Sequence, residues 1–293
     1  MAAKDGDGWA QCDRGHRHWG VHGASGLLAV HHDTAGTPHV LMQKRSMWSH
    51  HGGTWGLPGG ALDSHEDAVS GALREAREEA ALNGEGLRVQ GVYVDDHGGW
   101  SFQTVIAEAS GLLEAAPAND ESTDLRWLTP DEILARNLHP GFAETWPEIS
   151  RVLAPVLVIL DTANIVGARA EHGWWKDRAG AAAKLISEVG ALGAGGVRAL
   201  PGGPAALTRW FPRFAMVVEG AARDVASVSG VSVISGVSVV AAPGSGDDAI
   251  VRAVREAAPW EHVLVVTADR GLRGRVTELG AEVTGPRWLL SQL

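Results

Sequence analysis

Three glutamates, Glu75, Glu78 and Glu79, stand at i, i+3 and i+4 near the end of the stretch GLPGGALDSHEDAVSGALREAREEAAL, residues 56 to 82. On a helix that spacing puts all three on one face. Val69, Ala72, Leu73, Ala76 and Ala80 recur at helical intervals and are expected to form a separate core stripe. Three unneutralised carboxylates so close together would repel one another. A divalent cation with oxygen ligands removes that penalty, and magnesium is the expected guest. Arg74 lies four residues before Glu78 and eight after Glu66, so it can pair with either and hold them in place. The Pro58-Gly59-Gly60 segment reads as a turn whose bare backbone can approach a metal or a phosphate. A solvated helix face with scattered ion pairs is the plain alternative, and for an isolated ExxEE it would prevail.

The longer spacing argues against that alternative. Five residues separate Gly60 from Glu66, seven more lead to Arg74-Glu75, and Glu78-Glu79 follow. This resembles the Nudix box, G-x5-E-x7-R-E-U-x-E-E-x-G-U with U a bulky aliphatic, at Gly60, Glu66, Arg74, Glu75, Glu78, Glu79 and Leu82. Ala81 stands where the box has its late glycine and Ala76 where it has its first aliphatic. Neither change removes a ligand, although Ala81 is expected to shift the helix end slightly.

For residues 1–153 the resemblance implies an α+β Nudix fold with a mixed sheet between helices. It implies Mg2+-dependent hydrolysis of a diphosphate linkage in a nucleoside diphosphate derivative, with the metal neutralising charge that develops at phosphorus. By motif position Glu75, Glu78 and Glu79 hold the metal together with the Gly60 carbonyl, and Arg74 and Glu66 complete the catalytic set. One glutamate of the box, or one outside it, activates the attacking water. Glu114 and Glu121 are the outside candidates; each also reads as a solvated loop residue. The histidines of GHRHWGVHG, VHH and WSHHGG lie around predicted strand ends, where they could contact phosphates or bases, though a lone histidine is more often structural. Trp48 and Trp55 flank the loop before the box and suit either base stacking or packing. Cys12 is too isolated to suggest nucleophilic chemistry.

A second set of acids follows predicted strands in the other half. Asp161 follows VLVIL, Glu219 closes FAMVVE, Asp247 and Asp248 follow VSVVAAPGSG, and Asp269 ends VLVVTAD. In a parallel sheet all carboxyl ends share one edge, where ligand sites form, so these acids are expected to converge, with Asn164 as a neutral oxygen ligand. The simpler reading is that each aspartate caps the next helix. The conjunction LDTANIVG, VVEG, GSGDDAI and VVTADRGLRGRV resembles the NYN branch of PIN-like nucleases over residues 156–286. That resemblance implies Mg2+- or Mn2+-dependent phosphodiester hydrolysis, usually of RNA. Asp161, Asp247 and Asp269 match best, Asn164 and Asp248 next, and Glu219 stands where that family often carries aspartate. Trp174, Trp175, Lys176 and Arg178 could stack on bases and hold phosphates. Arg270, Arg273 and Arg275 add positive charge beside Asp269, or form an ordinary solvated face.

The elements that must position these residues divide the chain in two. Up to residue 153 strands 22–32, 39–46, 87–96, 100–109 and 124–128 surround one helix from Glu66 to Leu82. A helix capped by Thr129 with Pro130 at its first position follows, and a last helix spans GFAETWPEISRVL. From 154 onward apolar strands alternate with amphipathic helices, which predicts an α/β PIN-like domain with a parallel sheet covered on both faces. GALGAGGVRALPGGPAA reads as a surface loop and SGVSVISGVSVV as a local duplication. The domains are therefore expected at 1–153 and 154–293, with almost no linker.

Composition agrees. The chain has 293 residues, 45% of them hydrophobic, which suffices for two cores. Its net charge of −10 resides in the first half, so the chain is not a general polyanion binder, and anionic ligands would need metal ions as intermediaries. One cysteine excludes an intramolecular disulfide framework and a cysteine-only zinc site. The N-terminus lacks a signal-peptide core, and the longest apolar run, VLAPVLVIL, is about half the length a bilayer requires. A cytoplasmic protein without a membrane partner is expected; these patterns do not give an oligomeric state. Two functional readings follow: a Nudix pyrophosphohydrolase fused to a ribonuclease, or a nucleotide-sensing Nudix module that regulates an RNA-binding or RNA-cleaving domain.

Overall fold

The computed structural model describes residues 5–169, 177–202, 207–223 and 236–293. The chain separates into two compact units, the first Met1–Leu153 with Pro204–Thr208 and the second Ala154–Gly203 with Arg209–Leu293. Among the described residues no helix is long and apolar enough to cross a membrane.

In the first unit, β1 (Trp9–Gln11) and β2 (Arg17–Trp19) form a small antiparallel hairpin. β3 (Ala24–His32) and β4 (Pro38–Arg45) pair antiparallel across the DTAGT turn. β5 (Trp55–Gly56) adds to β4, and β6 (Gly59–Ala61) adds to β3. Helix α1 (Ala68–Ala80) follows and packs on β3. β7 (Leu87–Asp96) and β8 (Ser101–Ala109) form the next hairpin, with β8 parallel to β3, and β9 (Ser122–Leu128) pairs with β4. The sheet is thus mixed, with the path β7-β8-β3-β4-β5. α2 (Pro130–Leu134) opens on a capping box in which Thr129 and Glu132 satisfy each other's backbone N–H groups. α3 (Pro140–Ile149) closes the unit.

The core stripe of α1 is rotated from the expected one. Gly71, Ala72, Ala76 and Ala80 are buried, whereas Val69 and Leu73 are only half-buried. Small side chains let the helix lie close on β3, which explains why Ala76 can replace a bulky aliphatic. The helix is also shorter than expected. Asp67 caps it by accepting from Ser70 N–H at 2.8 Å, and Ala81 ends it in a left-handed conformation with φ of 57°. Gly59 and Gly60 are extended and paired with Ser25 and Gly26, so they form a strand rather than the predicted turn.

The second unit is a five-stranded sheet in which every pairing is parallel. Its strands are β10 (Val156–Asp161), β12 (Arg213–Val218), β13 (Val237–Ala241), β14 (His262–Val266) and β15 (Glu282–Thr284), ordered β13-β12-β10-β14-β15. β11 (Leu207–Trp210) exchanges backbone hydrogen bonds with Val197 through Trp210. The helices are α4 (Thr162–Ala168), α5 (Arg178–Gly195), α6 (Gly246–Glu256), α7 (Arg270–Thr277) and α8 (Pro286–Leu290). Ile159, Val217, Ile250, Val254, Val265 and Leu272 lie in one core cluster between the sheet and its helices. The glycine-rich segment expected as a loop is helical through Gly195, because Ala182, Leu185, Ile186 and Val189 anchor α5 in the core and carry its C-terminal turns along. The near-repeat SGVSVISGVSVV lies mostly outside the described residues, and so do Trp174, Trp175 and Lys176.

Candidate active sites

Arg74 is the hub of the first site. Its Nε and Nη2 donate to the two carboxylate oxygens of Glu66 at 2.7 and 2.8 Å, Nη2 also to the Ala61 carbonyl at 2.9 Å, and Nη1 to Glu75 at 2.6 Å. Glu78 stands 3.7 Å from Nη1. Glu66 also accepts from Asp63 N–H at 3.1 Å, and the guanidinium beside it holds its carboxyl below the usual range. Glu66 and Arg74 therefore brace the loop entering α1 against the helix. Glu75 lies over Gly60 so closely that a Cβ there would fall 2.6 Å from its carboxylate oxygen. A side chain here would displace the Glu75 carboxylate from its bond to Arg74.

Glu79 is 2% exposed and accepts from Gly59 N–H at 2.8 Å. Burial pushes its carboxyl up to about 8 against the pull of that N–H, and the charges of Glu75 and Glu121 add to the rise. Glu121 is thus brought beside the box. Glu114 is exposed on the segment after β8. The carboxylates of Glu75, Glu78 and Glu79 do not form a three-oxygen cage with all ligand atoms within 4.8 Å of one another; Arg74 draws two of them and the Gly59 backbone the third. The donor set nevertheless fits a hard divalent cation. It offers oxygen donors only, and its buried carboxyl stays protonated well above the ordinary range unless positive charge arrives.

One neighbour was not foreseen. Gln43, fully buried on β4, lies 2.6 Å from Ser122 Oγ. With its amide oxygen accepting from Ser122, its nitrogen donates to Glu79 Oε2 at 3.1 Å and to the Leu57 carbonyl at 3.2 Å. Only a polar glutamine within the apolar strand VLMQ could have signalled this. The two tryptophans part company. Trp55 is 6% exposed in the core with Arg136 over its ring, whereas Trp48 is 69% exposed. His31 lies 3.2 Å from the Ala109 carbonyl through Nδ1, a structural contact.

The second site lies at the carboxyl edge of the parallel sheet, where adjacent β10 and β14 belong to opposite halves of the strand order. Such a reversal leaves a crevice beyond the strand ends. Asp161 ends β10, accepts from Asn164 N–H at 3.1 Å and so caps α4. Its other oxygen accepts from the Thr267 hydroxyl at 2.7 Å. Asp269 N–H donates to Thr267 Oγ1 at 3.1 Å, and Asp269 caps α7 through Leu272 N–H at 2.8 Å. Asn164 Oδ1 accepts from Ala268 N–H at 2.9 Å. Asn164 and the fully buried Thr267 thus tie the ends of β10 and β14 together. No role was assigned to Thr267 from sequence.

Capping and convergence therefore coexist at Asp161 and Asp269, while among the described residues Asp247 serves as neither cap nor ion-pair anchor. Burial raises the Asp161 carboxyl, and the charges of Asp247 and Glu219 raise it further. Burial also raises Asp247, followed by the charge of Asp269. Four acids distant in sequence thus share one field. Glu219 is fixed by accepting from Gly246 N–H at 2.7 Å. Asp248 pairs with Arg275 at 2.5 Å, and Arg270 and Arg273 are exposed. Arg178 opens α5.

Comparison with known proteins follows the first unit. The NUDIX domain family matches residues 24–149. A Mycobacterium tuberculosis protein named "Putative 8-oxo-dGTP diphosphatase 3" is 47% identical over 160 residues, covering 52% of this chain and 72% of that protein. A Bifidobacterium longum "Nucleoside triphosphate pyrophosphatase/Nudix hydrolase fusion protein" is 43% identical over 149 residues, covering 50% of this chain and 31% of that protein. The crystal structure of a Nudix hydrolase from M. smegmatis, RenU, is 45% identical, with a TM-score of 0.47, covering 50% of this chain and 94% of that one. Through its first half, the chain belongs to the Nudix hydrolase family.

Proposed function

We propose that residues 1–153 form a pyrophosphohydrolase that cleaves a diphosphate linkage in a nucleoside diphosphate derivative, with Mg2+ or Mn2+ held by Glu75, Glu78, Glu79 and the Gly60 carbonyl. The gathering of Glu66, Glu75 and Glu78 around Arg74, with Glu79 buried and bonded to Gly59 N–H, is the observation that carries this reading. The bound cation supplies neutralisation of charge on the phosphoryl oxygens. The chain supplies the rest. Arg74 holds Glu66, Glu75 and Glu78 in a fixed fan, so little reorganisation is needed when the diphosphate arrives. Gly59 N–H and Gln43 fix the Glu79 carboxyl. Glu121, better placed than Glu114, takes the proton of the attacking water.

Residues 154–293 are assigned to the NYN branch of PIN-like domains, acting on RNA. Asp161, Asp247 and Asp269 hold the metal, Asn164 shapes the cleft, and Asp248 stands at its rim beside Arg275. The shared field of Asp161, Glu219, Asp247 and Asp269 at the strand-order reversal supports this reading. The full set of three box glutamates favours catalysis over nucleotide sensing alone. The buried, unoxidised Cys12 suits a cytoplasmic setting. The test is a screen of nucleoside triphosphates, ADP-ribose, dinucleoside polyphosphates and NADH with Mg2+, scoring released products; the M. tuberculosis relative puts 8-oxo-dGTP first. Glu78→Gln should abolish turnover while sparing the fold, and unchanged turnover would remove the metal assignment.

A further inference from the structure

The turn of the β1–β2 hairpin carries Cys12 and His16, β2 carries His18, and the turn between β7 and β8 carries His97. The Cys12 sulfur and one ring nitrogen from each histidine all lie within 4.8 Å of one another. Donors in a tetrahedral zinc shell with one sulfur and three nitrogens are roughly 3.4–3.6 Å apart, by the usual bond lengths. The four side chains are within a small inward movement of that geometry.

Independent observations point the same way. Among the described residues, His18 Nε2 and His97 Nδ1 are buried with no hydrogen-bond partner, an exposure to cost that native interiors seldom bear. Both rings belong to the same four-residue cluster. His97 Nε2 lies 2.9 Å from Asp95 Oδ2, which fixes the proton on Nε2 and leaves a lone pair on Nδ1. A carboxylate behind a ligating imidazole is the usual outer support of a zinc histidine. His18 stacks on Trp100 at 3.9 Å with an interplanar angle of 9°. Cys12 is 4% exposed and is the only cysteine of the chain.

The backbone is already tied around the cluster. Cys12 N–H donates to the His16 carbonyl at 3.0 Å, which closes the hairpin turn. Asp13 N–H donates to the Gly98 carbonyl at 2.8 Å, and Arg14 Nη2 to the Asp96 carbonyl at 2.6 Å. Trp100 Nε1 donates to the Gly20 carbonyl at 2.9 Å.

We infer that Cys12, His16, His18 and His97 form a closed, structural Zn2+ site that fastens the β1–β2 hairpin to the β7–β8 turn. Four protein ligands leave no open position, so the site serves stability rather than hydrolysis. Its nitrogen and sulfur donors set it apart from the all-oxygen carboxylate sites. Binding releases the Cys12 proton, and the thiolate charge is neutralised by the metal.

Zinc K-edge absorption of the full chain reads the ligands without any variant. A shell of one sulfur and three nitrogens is expected; an oxygen-dominated shell, or no zinc taken up by chelator-stripped protein given one equivalent, overturns the inference. Cobalt substitution gives a second readout. The wild-type chain should show a thiolate-to-cobalt charge-transfer band that zinc displaces. Cys12→Ser should lose that band, and His97→Ala should weaken cobalt binding at least 10-fold. A band that survives Cys12→Ser, or cobalt affinity unchanged in His97→Ala, contradicts the site. Should either variant fail to fold, the wild-type absorption spectrum still decides.

Discussion

Arg74 grips Glu66 with two parallel bonds of 2.7 and 2.8 Å, and the same guanidinium reaches Glu75 at 2.6 Å. One side chain therefore sets the position of the loop entering α1 and of a carboxylate proposed to hold the metal. Lysine keeps the charge but has no fork. Arg74→Lys is expected to lower activity by about 10–100-fold, the usual cost of disturbing the support of a ligand. It should also lower metal affinity. Steady-state kinetics with a magnesium titration checks both, and wild-type values for both would remove Arg74 from its supporting role.

Ala81 adopts φ of 57° at the end of α1, and its N–H donates to the Ala76 carbonyl. A left-handed alanine costs roughly 1–2 kcal/mol, partly offset by the flexibility that glycine gives the unfolded chain. Ala81→Gly should raise stability by about 0.5–1 kcal/mol in urea denaturation. A loss of stability would show that the helix ends otherwise.

The folded Glu79 carboxyl titrates near 8, above its ordinary 4.5. In metal-free protein the native state therefore holds a proton that the unfolded state has lost between those values. Stability must fall as pH rises from about 4.5 through 8, and Glu79→Gln should flatten this dependence. Magnesium competes with that proton, so its affinity should rise over the same window. Urea denaturation and magnesium titration at several pH values test the two statements. Identical slopes for wild type and Glu79→Gln would contradict them.

An amide at Asp161 keeps the cap with its one oxygen toward Asn164 N–H, and its NH2 then donates to Thr267 Oγ1 where the second carboxylate oxygen had accepted. Its carboxyl is raised by burial and by Asp247 and Glu219, so ionisation costs the native state free energy above the unfolded pKa. Asp161→Asn should therefore leave stability at neutral pH unchanged or higher, while abolishing RNA cleavage. Cleavage that persists would place that chemistry elsewhere. A clear loss of stability would mean that the carboxylate is structural.

Much of this was legible in the residues. Strand-like apolar runs between turn signals placed β3, β4, β7 and β8 to within about two residues, and β3 and β4 are buried over seven and four consecutive residues. The parallel strands of the second unit stood out as continuous apolar runs. β1, β2, β5 and β6 were not seen, since they are only two or three residues long and hold histidine, tryptophan and glycine where a strand signal needs repetition. α4 was missed because Asp161 both ends a strand and caps a helix, and TANIVGA has weak helix propensity. Arg74 met Glu66 as expected through local spacing, and took Glu75 rather than Glu78 as its nearer second partner. Thr267 stands in the Thr-x-Asp of VVTAD, a local signal, whereas Gln43 and the gathering of Cys12 with His97 depend on sheet pairing between distant segments that no local pattern encodes.

The central claim is that the box carboxylates tolerate one another by sharing a divalent cation that meets the phosphates of a nucleotide. Calorimetric titration of Mn2+ into the Asp161→Asn chain, with a non-hydrolysable nucleoside triphosphate present, tests it with the second site disabled. Tight uptake is predicted, and it should be lost when Glu78→Gln and Glu79→Gln are added. Uptake of equal strength in the added variants, or none in the parent, would contradict the account.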